Sequence, residues 1–455
     1  MHPAATDPPP TTHTGPQHDI RRRITRWSIS GTRAMTISRA RRSRAAAMIA
    51  IVTGCLLGTA TAAHAAVPVF TPAQGSPFLT GDGAVALTFA RDGSLLMTAN
   101  QVDNTVSSFS VSYPGGQLTQ VPGSPFPAGG NGPTAIAASP NSKFVAVTSS
   151  NSLVEPLNSL SVLAVSASGA LTQAPGSPTD PGRSPSAVAW SPNLPVLAIT
   201  NTDDNALAPY LISGAGRPTA LNTFSLNIPN YIGQPSALAF SPDGDLLAVT
   251  DGATNTVRIF KVDASSGFTE VGLPVTVGAV PLSVAFNAAG TLLATTSEDD
   301  DSVSLFSVTT TGSITPVSGS PFSSGSGSGP VDAAFSPDGS MLATANIDNG
   351  TASVFSIGAD ETLTPVPGTP LTIAVSNEGI GSEPEWVAFS PNGHLLTTAN
   401  SGSDFYDTGT VSVFNISQPT LSTPPPTSGC PAHHHRCCGG RPRHPHHRQP
   451  VCHRS

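Results

Sequence analysis

The body of this chain, residues 66–417, lacks cysteine and has few basic and few aromatic side chains. Without cysteine it cannot form disulfides, so its stability has to come from the burial of a core. It holds six Lys and Arg against 26 Asp and Glu, which gives a net charge near −20 (6 − 26). A surface this acidic repels phosphate backbones, which argues against nucleic acid as a partner of the body.

The basic residues that the body lacks are at the two ends of the chain. In residues 35–67 a basic stretch (39–44) is followed by an apolar stretch (45–63) and by the small-residue site Ala-His-Ala (63–65). This order predicts a secretory signal peptide that is cleaved near Ala65, and therefore a secreted or cell-surface protein. An uncleaved membrane anchor and a lipoprotein signal at VTGC (52–55) remain alternatives, and both also place the body outside the cytoplasm.

Residues 418–455 form a tail rich in Pro, His, Cys and Arg, without apolar periodicity. This composition predicts a disordered segment. Its four Cys and seven His could bind Zn²⁺ or Cu²⁺, but their spacing matches no zinc finger. We therefore divide the chain into an N-terminal extension with an export signal (1–65), a body (66–417) and a tail (418–455).

Seven copies of one pattern follow one another through the body. Each copy contains a turn like the Ser-Pro-Asp-Gly of VDAAFSPDGSMLATAN (331–346), and the residue before that turn marks the register. These marker residues are Phe89, Ala138, Trp190, Phe240, Phe286, Phe335 and Phe389, which are 49, 52, 50, 46, 49 and 54 positions apart. Repeats of about fifty residues are typical of propellers and solenoids.

Each repeat contains four short apolar runs that turn-forming residues separate. A small-apolar run leads to the turn, a second run and a polar loop follow, and a third run alternates, as in TVRIFKV (256–262). The fourth run carries proline, as in LTQVPGSPF (118–126), which predicts a strand at a sheet edge. The pattern predicts an all-β, seven-bladed propeller of four-stranded antiparallel blades. A stacked β-solenoid is the alternative, but the sequence shows no distinct capping repeats for it.

The ends of the body predict how the ring closes. The seventh repeat stops at TVSVFNIS (410–417) without a fourth run, whereas VFTPAQGSPF (69–78) precedes the first repeat and matches the missing run. We therefore expect the strand around 69–78 to pair with the strand around 411–416, which would remove the open edges of the ring.

With this pattern, hxhxFSPDGxxLhVTN…NTVSVF, residues 69–417 resemble the seven-bladed lactonase-type propellers. That group includes 6-phosphogluconolactonase and carboxymuconate cyclase, and the YVTN surface-layer repeats are related to it. The resemblance implies the propeller fold and a secreted enzyme that hydrolyses or isomerises a sugar lactone. Because one fold hosts many functions, a non-catalytic extracellular binding or surface-layer module is the alternative.

A short polar residue ends the second strand of every repeat, eleven positions after the marker. These residues are Asn100, Ser149, Asn201, Asp251, Ser297, Asn346 and Asn400. We expect them to converge at one end of the central channel, here called the loop mouth; the Pro-Asp-Gly turns lie at the opposite end, the hairpin mouth. The Asn and Asp members are therefore predicted to bind a ligand. Alternatively, such side chains cap strands by bonding to nearby backbone.

The segment SEDDDSV (297–303), here called the acidic loop, places four acids next to one another. Asp299, Asp300 and Asp301 could bind Ca²⁺ or Mg²⁺ through their carboxylate oxygens, although no cofactor is certain. A solvated acidic loop without a metal is the alternative.

The resemblance also implies catalytic positions. In the lactonase family an Arg-His pair follows the entering proline of one repeat, and a Glu follows the matching second strand. No repeat here has the pair, and Glu298 alone matches the Glu position. An acid–base lactonase needs a proton shuttle and a cation for an anionic substrate. Glu298, Glu385 and Arg183 are the candidates for these roles.

The ligand face is predicted at the loop mouth, because the longer and more variable loops lie there. Its contacts should come from several blades and include at least one of Glu298, Asp332 and Glu385. Trp386, beside Glu385, could stack on a sugar ring or belong to the core. We expect a monomer whose partner is a small molecule or a carbohydrate.

Overall fold

The computed structural model describes residues 67–150, 158–226, 233–263, 267–373, 383–402 and 408–417. The chain separates into units Met1–Pro419 and Thr420–Ser455, and every described residue belongs to the first. The predicted export signal, the tail and most of the loop at 376–384 lie outside the described residues. In the described part of the chain no helix has the length and hydropathy that crossing a membrane requires.

The first strands and blades have the following bounds. The chain enters the ring with β1 (Val69–Pro72) and β2 (Phe78–Leu79). Blade 1 consists of β3 (Ala84–Phe89), β4 (Leu95–Asn100), β5 (Thr105–Ser112), β6 (Gln117–Gln120) and β7 (Phe126–Pro127). Blade 2 consists of β8 (Pro133–Ala138), β9 (Phe144–Ser149), β10 (Ser159–Val165) and β11 (Leu171–Gln173). Blade 3 consists of β12 (Pro185–Trp190), β13 (Val196–Asn201), β14 (Ala206–Ile212), β15 (Pro218–Ala220) and β16 (Phe224–Ser225).

The remaining blades continue the pattern. Blade 4 consists of β17 (Pro235–Phe240), β18 (Leu246–Asp251), β19 (Thr256–Asp263) and β20 (Gly267–Thr276). Blade 5 consists of β21 (Pro281–Phe286), β22 (Leu292–Ser297), β23 (Ser302–Val308), β24 (Ile314–Pro316) and β25 (Phe322–Ser323). Blade 6 consists of β26 (Pro330–Phe335), β27 (Met341–Asn346), β28 (Thr351–Ile357), β29 (Leu363–Pro365) and β30 (Leu371–Thr372). Blade 7 contains β31 (Pro384–Phe389), β32 (Leu395–Asn400) and β33 (Thr410–Ser417).

Each blade is an antiparallel sheet in which the strands follow one another from the ring axis outward. In blade 1 the order is β3, β4, β5 and β6, with β7 paired beside β6 on β5. The innermost strands of neighbouring blades contact each other all around the ring, and β3 of blade 1 meets β31 of blade 7. The prediction of an all-β, seven-bladed propeller is therefore confirmed.

The ring closes through the two ends of the body, as predicted. β1 pairs with β33, with Val69 opposite Ser417 and Pro72 opposite Phe414, and β2 pairs with the start of the same strand. Phe78 packs into an apolar cluster with Leu96 and Val413, so this pairing also buries core surface between blades 7 and 1.

The innermost strands are built from small residues because seven of them converge on one axis. The position before the marker is Ala in six blades and Thr88 in blade 1, and all seven residues remain partly exposed along the channel. Every inner strand also has a register shift after its first residue, which is a proline in six blades and Ala84 in blade 1; in blade 4 the shift lies between Pro235 and Ala237. Such bulges increase local twist and redirect the side chains that follow them.

The proline-bearing fourth run forms the outer edge, as predicted, but it is split in two in most blades. In blade 1 a turn at 122–125 separates β6 from β7, and Gly123 adopts a φ of +91° there, which only glycine tolerates readily. Blade 4 lacks this turn, and its outer strand β20 runs unbroken over ten residues.

Candidate functional site

The asparagines that end the second strands are enclosed within their own blades. Asn100 is fully buried; its Oδ1 accepts a hydrogen bond from Thr98 Oγ1 (2.8 Å), and its Nδ2 donates to Thr105 Oγ1 and Ser107 Oγ, each at 2.9 Å. Asn346 and Asn400 make the same three bonds in blades 6 and 7. The amide therefore joins the second and third strands of its blade.

The two other predicted ligand residues of this set are buried as well. Asn201 Nδ2 donates to the Pro181 carbonyl (2.5 Å), and Asp251 Oδ1 accepts the backbone N–H groups of residues 234, 253 and 254. All five Asn and Asp side chains expose 2% of their surface or less. Their burial and their hydrogen bonds match the alternative of local capping. The predicted role of these residues in ligand binding stays a prediction.

Blade 5 has serine where blades 1, 6 and 7 have this asparagine. The hydroxyls of Thr295, Ser297 and Ser302 are buried there, and in the described structure they lack a hydrogen-bond partner. Their positions equal those of Thr98, Asn100 and Thr105 in blade 1. In blade 1 a Cβ at Gly81 would come within 2.6 Å of the Asn100 amide. The equivalent residue of blade 5 is also a glycine, Gly278, so blade 5 keeps the space that an amide at position 297 would need.

We expect Ser297→Asn to stabilise the protein by about 1 to 2 kcal/mol, because the new amide would satisfy several buried hydroxyls. Chemical denaturation measures the free energy of unfolding directly. Ser149→Asn in blade 2 is a matched control with a smaller expected gain, because Val147 stands there in place of the donor threonine. A Ser297→Asn protein no more stable than the wild type would contradict this expectation.

The predicted metal residues of the acidic loop differ in their surroundings. Asp301 accepts the backbone N–H groups of residues 327, 328 and 329, which hold the pKa of its carboxyl below the ordinary value. Asp300 accepts the N–H of Ala279 (2.7 Å) in a different loop, and Asp299 is exposed. Throughout the described ranges no three His, Cys, Asp or Glu side chains come together as metal ligands. The structure therefore gives no support to the assignment of Ca²⁺ or Mg²⁺ to Asp299, Asp300 and Asp301, which stays a prediction.

Arg183 lies at the outside of blade 3 and is already paired. Its Nε donates to Asp204 Oδ1 (2.6 Å), and one Nη donates to the carbonyl of Asp203 (2.9 Å). With 69% of its side chain exposed, it belongs to the surface and not to the channel. The structure therefore gives no support to its predicted role as the cation for a substrate.

Glu385 of blade 7 is a buried acid whose pKa is influenced by Glu298 of blade 5. Glu385 follows the entering proline of β31, and its Oε1 accepts a hydrogen bond from Ser401 Oγ (3.1 Å). Burial is the main cause that raises the pKa of its carboxyl to about 7, and the charges of Glu383 and Glu298 make smaller contributions to this value. Two predicted catalytic acids, one in blade 5 and one in blade 7, therefore influence each other through their charges.

The neighbours of Glu385 explain why its carboxyl is poorly hydrated. The equivalent positions of the adjacent blades hold Val331 in blade 6 and Val85 in blade 1, whereas blades 2, 3 and 4 have a hydroxyl there. The apolar side chains offer neither a hydrogen bond nor a positive charge, so the protonated form of Glu385 is favoured. Glu383 completes this acidic group, and the sequence analysis missed it.

Asp332 connects three consecutive blades. Its Oδ1 accepts a hydrogen bond from Ser283 Oγ of blade 5 (2.6 Å), and its Oδ2 accepts the N–H of Val387 in blade 7 (3.0 Å). The residue exposes only 6% of its surface, and this burial raises the pKa of the carboxyl to about 6. Its predicted role in ligand binding stays a prediction.

A cavity of about 540 Å³ occupies the channel from Asp332 and Trp386 to the hairpin mouth, where Arg91 and Pro140 line it. Trp386 is half-buried and packs against the cluster that includes Ala86 and Ile136. The cavity therefore opens at the end opposite to the predicted ligand face. The small residues of the inner strands were the available sequence signal, because they leave the axis unfilled.

The pH dependence of stability should carry the signature of Asp332. Because its pKa is raised, the folded state binds the proton more tightly than the unfolded chain, and stability falls as pH rises from about 4 to about 6. Asp332→Asn removes this loss, so relative to the wild type it should gain about 2 to 3 kcal/mol between pH 4 and pH 7.

Denaturation of both proteins across this pH range tests the effect. Asp301→Asn is a control for which the stability difference from the wild type should change with pH in the opposite direction. The lowered pKa of Asp301 stabilises the wild type at neutral pH, and this stabilisation is lost on acidification. A difference between Asp332→Asn and the wild type that does not change with pH would contradict the expectation.

These features define a closed seven-bladed propeller with an acidic loop mouth and a hollow channel. The family described as "Lactonase, 7-bladed beta-propeller" matches residues 65–230 and 160–323, which together cover more than half of the chain. The protein therefore belongs to this lactonase family. No curated protein matches the chain.

Solved structures show the same fold at low sequence identity. A candidate 6-phosphogluconolactonase from Bacteroides uniformis is 21% identical with a TM-score of 0.53, over 65% of this chain and 84% of that one. The periplasmic gluconolactonase PpgL of Pseudomonas aeruginosa is 19% identical with a TM-score of 0.53, over 64% of this chain and 87% of that one. The propeller domain of Cps50 (Swd1) from Myceliophthora thermophila is 14% identical with a TM-score of 0.54, over 77% of this chain and all of that domain. The last of these illustrates that the fold alone does not specify an activity.

Proposed function

We propose that this protein is an exported lactonase that hydrolyses an uncharged sugar lactone at the loop mouth. Membership of the lactonase family supports the reaction class. The observation that carries the proposal is the buried carboxyl of Glu385 at the start of β31, which is bonded to Ser401 and has a raised pKa. The signal-like sequence at 35–67 supports export.

The pKa of Glu385 suits it to general base catalysis. A carboxyl with a pKa of about 7 is largely ionised slightly above neutral pH and still basic enough to take a proton from water. The activated water attacks the lactone carbonyl carbon and forms a C–O bond. The bond between that carbon and the ring oxygen then breaks, and the proton passes from Glu385 to the departing alkoxide.

The charge of the site favours a neutral substrate. The negative charges of Glu383 and Glu298 act on Glu385, and Arg183 is engaged by Asp204. A phosphorylated lactone would be repelled by this group of carboxylates. The name of the similar periplasmic protein from Pseudomonas, a gluconolactonase, is in keeping with a substrate that lacks phosphate.

Turnover assays on the full chain test the proposal. We expect faster hydrolysis of glucono-δ-lactone than the spontaneous rate, and little or none for 6-phosphogluconolactone. Glu385→Gln keeps the shape of the side chain but cannot take a proton, so it should lower kcat by about 100-fold or more. The rate of the wild type should rise with pH and level off above about 7, and this rise should vanish in the variant.

The exposed Asp245→Asn serves as a matched control, because its carboxyl lies in a hairpin turn far from the loop mouth. If Glu385→Gln is as active as the wild type, Glu385 is not the base. Absence of turnover of every lactone in the wild type would contradict the proposal.

A non-catalytic binding module is the second candidate, and one observation favours it. The Arg-His pair of the lactonase family is absent, and His394, the single histidine of the body, lies exposed in a hairpin turn. A wild-type protein that binds a sugar or sugar lactone without converting it would support this function over the enzyme.

A further inference from the structure

The channel contains a cavity that the proposed lactonase site does not use. Its volume of about 540 Å³ is within the range of sites that enclose small organic ligands. Aromatic and small apolar side chains form most of its wall, among them Phe89, Trp190 and Phe335. It opens at the hairpin mouth, whereas Glu385 lies at the loop mouth.

A single buried carboxylate lies at the inner end of this cavity. Asp332 is three residues before the marker Phe335, which places it about 10 Å deeper along the strand. Ser283 and the N–H of Val387 each donate to one of its oxygens, and the backbone N–H of Ala333 also stabilises the carboxylate. Since a carboxylate oxygen can accept two hydrogen bonds, the carboxylate retains capacity for a donor in the cavity.

No positive charge within the described structure compensates Asp332. No basic side chain contributes to its environment, and burial dominates it. An ionised carboxylate that is buried without a cation is costly, and a bound cation would relieve that cost. The body as a whole, with its charge near −20, also attracts positive ligands.

The neighbour of Asp332 in the ring adds a second element of cation recognition. Trp386 occupies the same position of the next inner strand and lines the same cavity. In blades 1 to 4 the equivalent residues are alanines, which leave room opposite the indole. An aromatic face beside a carboxylate is suited to ammonium groups, because the π-electrons of the indole attract a positive charge.

We propose that the channel cavity binds a small organic cation, a protonated amine on an apolar or aromatic body, with its ammonium group hydrogen bonded to Asp332. The body of the ligand extends past Phe335 and Phe89 towards the hairpin mouth. The ammonium group donates to the two carboxylate oxygens and lies against Trp386. This site is separate from the proposed lactonase site and does not depend on it.

Calorimetric titration of the full chain at neutral pH tests the proposal with two pairs of matched probes. The amines 2-phenylethylamine and tryptamine are compared with 2-phenylethanol and tryptophol, which have the same bodies without the charge. We expect each amine to bind the wild type at least about 10-fold more tightly than its alcohol. Asp332→Asn should remove this preference, and the exposed Asp245→Asn should keep it.

A second pair of variants decides the question if Asp332→Asn does not fold. Trp386→Phe retains an aromatic face and Trp386→Leu removes it, so amine affinity should fall from the wild type through Phe to Leu, with little effect on the alcohols. Equal affinity for amines and alcohols, unchanged amine binding by Asp332→Asn, or no binding of either amine at millimolar concentration would overturn the proposal. Because no turnover is measured, these results leave the lactonase proposal unaffected.

Discussion

Deletion of residues 66–78 is expected to lower the melting temperature sharply and to cost at least about 4 kcal/mol of stability. The deletion removes β1 and the first residue of β2, the outer strands of blade 7, and exposes the edge of β33. It also removes Phe78 from its cluster with Leu96 and Val413, and burial of one such side chain contributes about 2 kcal/mol.

Differential scanning calorimetry of the full chain and of the deletion measures this loss. Deletion of residues 66–68 alone is the matched control, because it leaves β1 and β2 intact. If both deletions melt at the wild-type temperature, the closing strands do not hold the ring together.

The second large effect is expected at the ion pair of Arg258 and Glu270 in blade 4, which lies against the end of blade 3. Arg258 on β19 exposes 5% of its side chain; its Nε and one Nη donate to the two oxygens of Glu270 at 2.7 Å each. The other Nη donates to the Leu226 carbonyl (2.6 Å) at the end of blade 3. The guanidinium carbon also lies 5.4 Å from the ring centre of Phe260.

Glu270→Ala is expected to cost about 3 kcal/mol, because it leaves the guanidinium buried without its counter-charge. The double variant Arg258→Ser with Glu270→Ala should recover part of this loss, since serine occupies the equivalent position in five other blades. Equilibrium denaturation measures all three proteins.

The pair of Arg183 and Asp204 provides a matched control for this second effect. It has the same short contact but an exposed arginine, so Arg183→Ala should cost less than about 1 kcal/mol. A loss at Glu270 no greater than the loss at Arg183 would show that burial does not strengthen the pair.

The architecture could be predicted from the sequence because the signals that specify it are either local turn motifs or patterns that recur in every repeat. The Pro-Asp-Gly turns, the spacing of about fifty residues and the displaced fourth run each specify one feature of the ring. The match of 69–78 to the run missing after residue 417 was enough to predict the pairing of β1 with β33.

The site could be predicted only in part, because the burial of a polar side chain is decided by its neighbours. Asn100 and its equivalents share a position in the repeat, but Thr98, Thr105 and Ser107 bind their amides inside the blade. The acids of the acidic loop are adjacent in sequence, but Asp300 and Asp301 turn towards different loops. Sequence proximity is therefore a weak indication of a shared site.

The influence of Glu298 on Glu385 could not be derived from the sequence, because blade 6 separates the two strands that carry them. The contacts of Asp332 also join strands that are far apart in the sequence. Ser283, Asp332 and Val387 come together when blades 5, 6 and 7 pack side by side, although each belongs to an ordinary inner strand.

The pairing of the first strand with the last has a consequence for how the chain is made. Val69 and Ser417 are 348 positions apart, so almost the whole body must be synthesised before its ends can meet. Contacts of such long range form slowly, since the entropy of closing the loop is lost before they are gained. Blades 1 to 6 can assemble as the chain emerges, whereas blade 7 is completed only after the final strand is released.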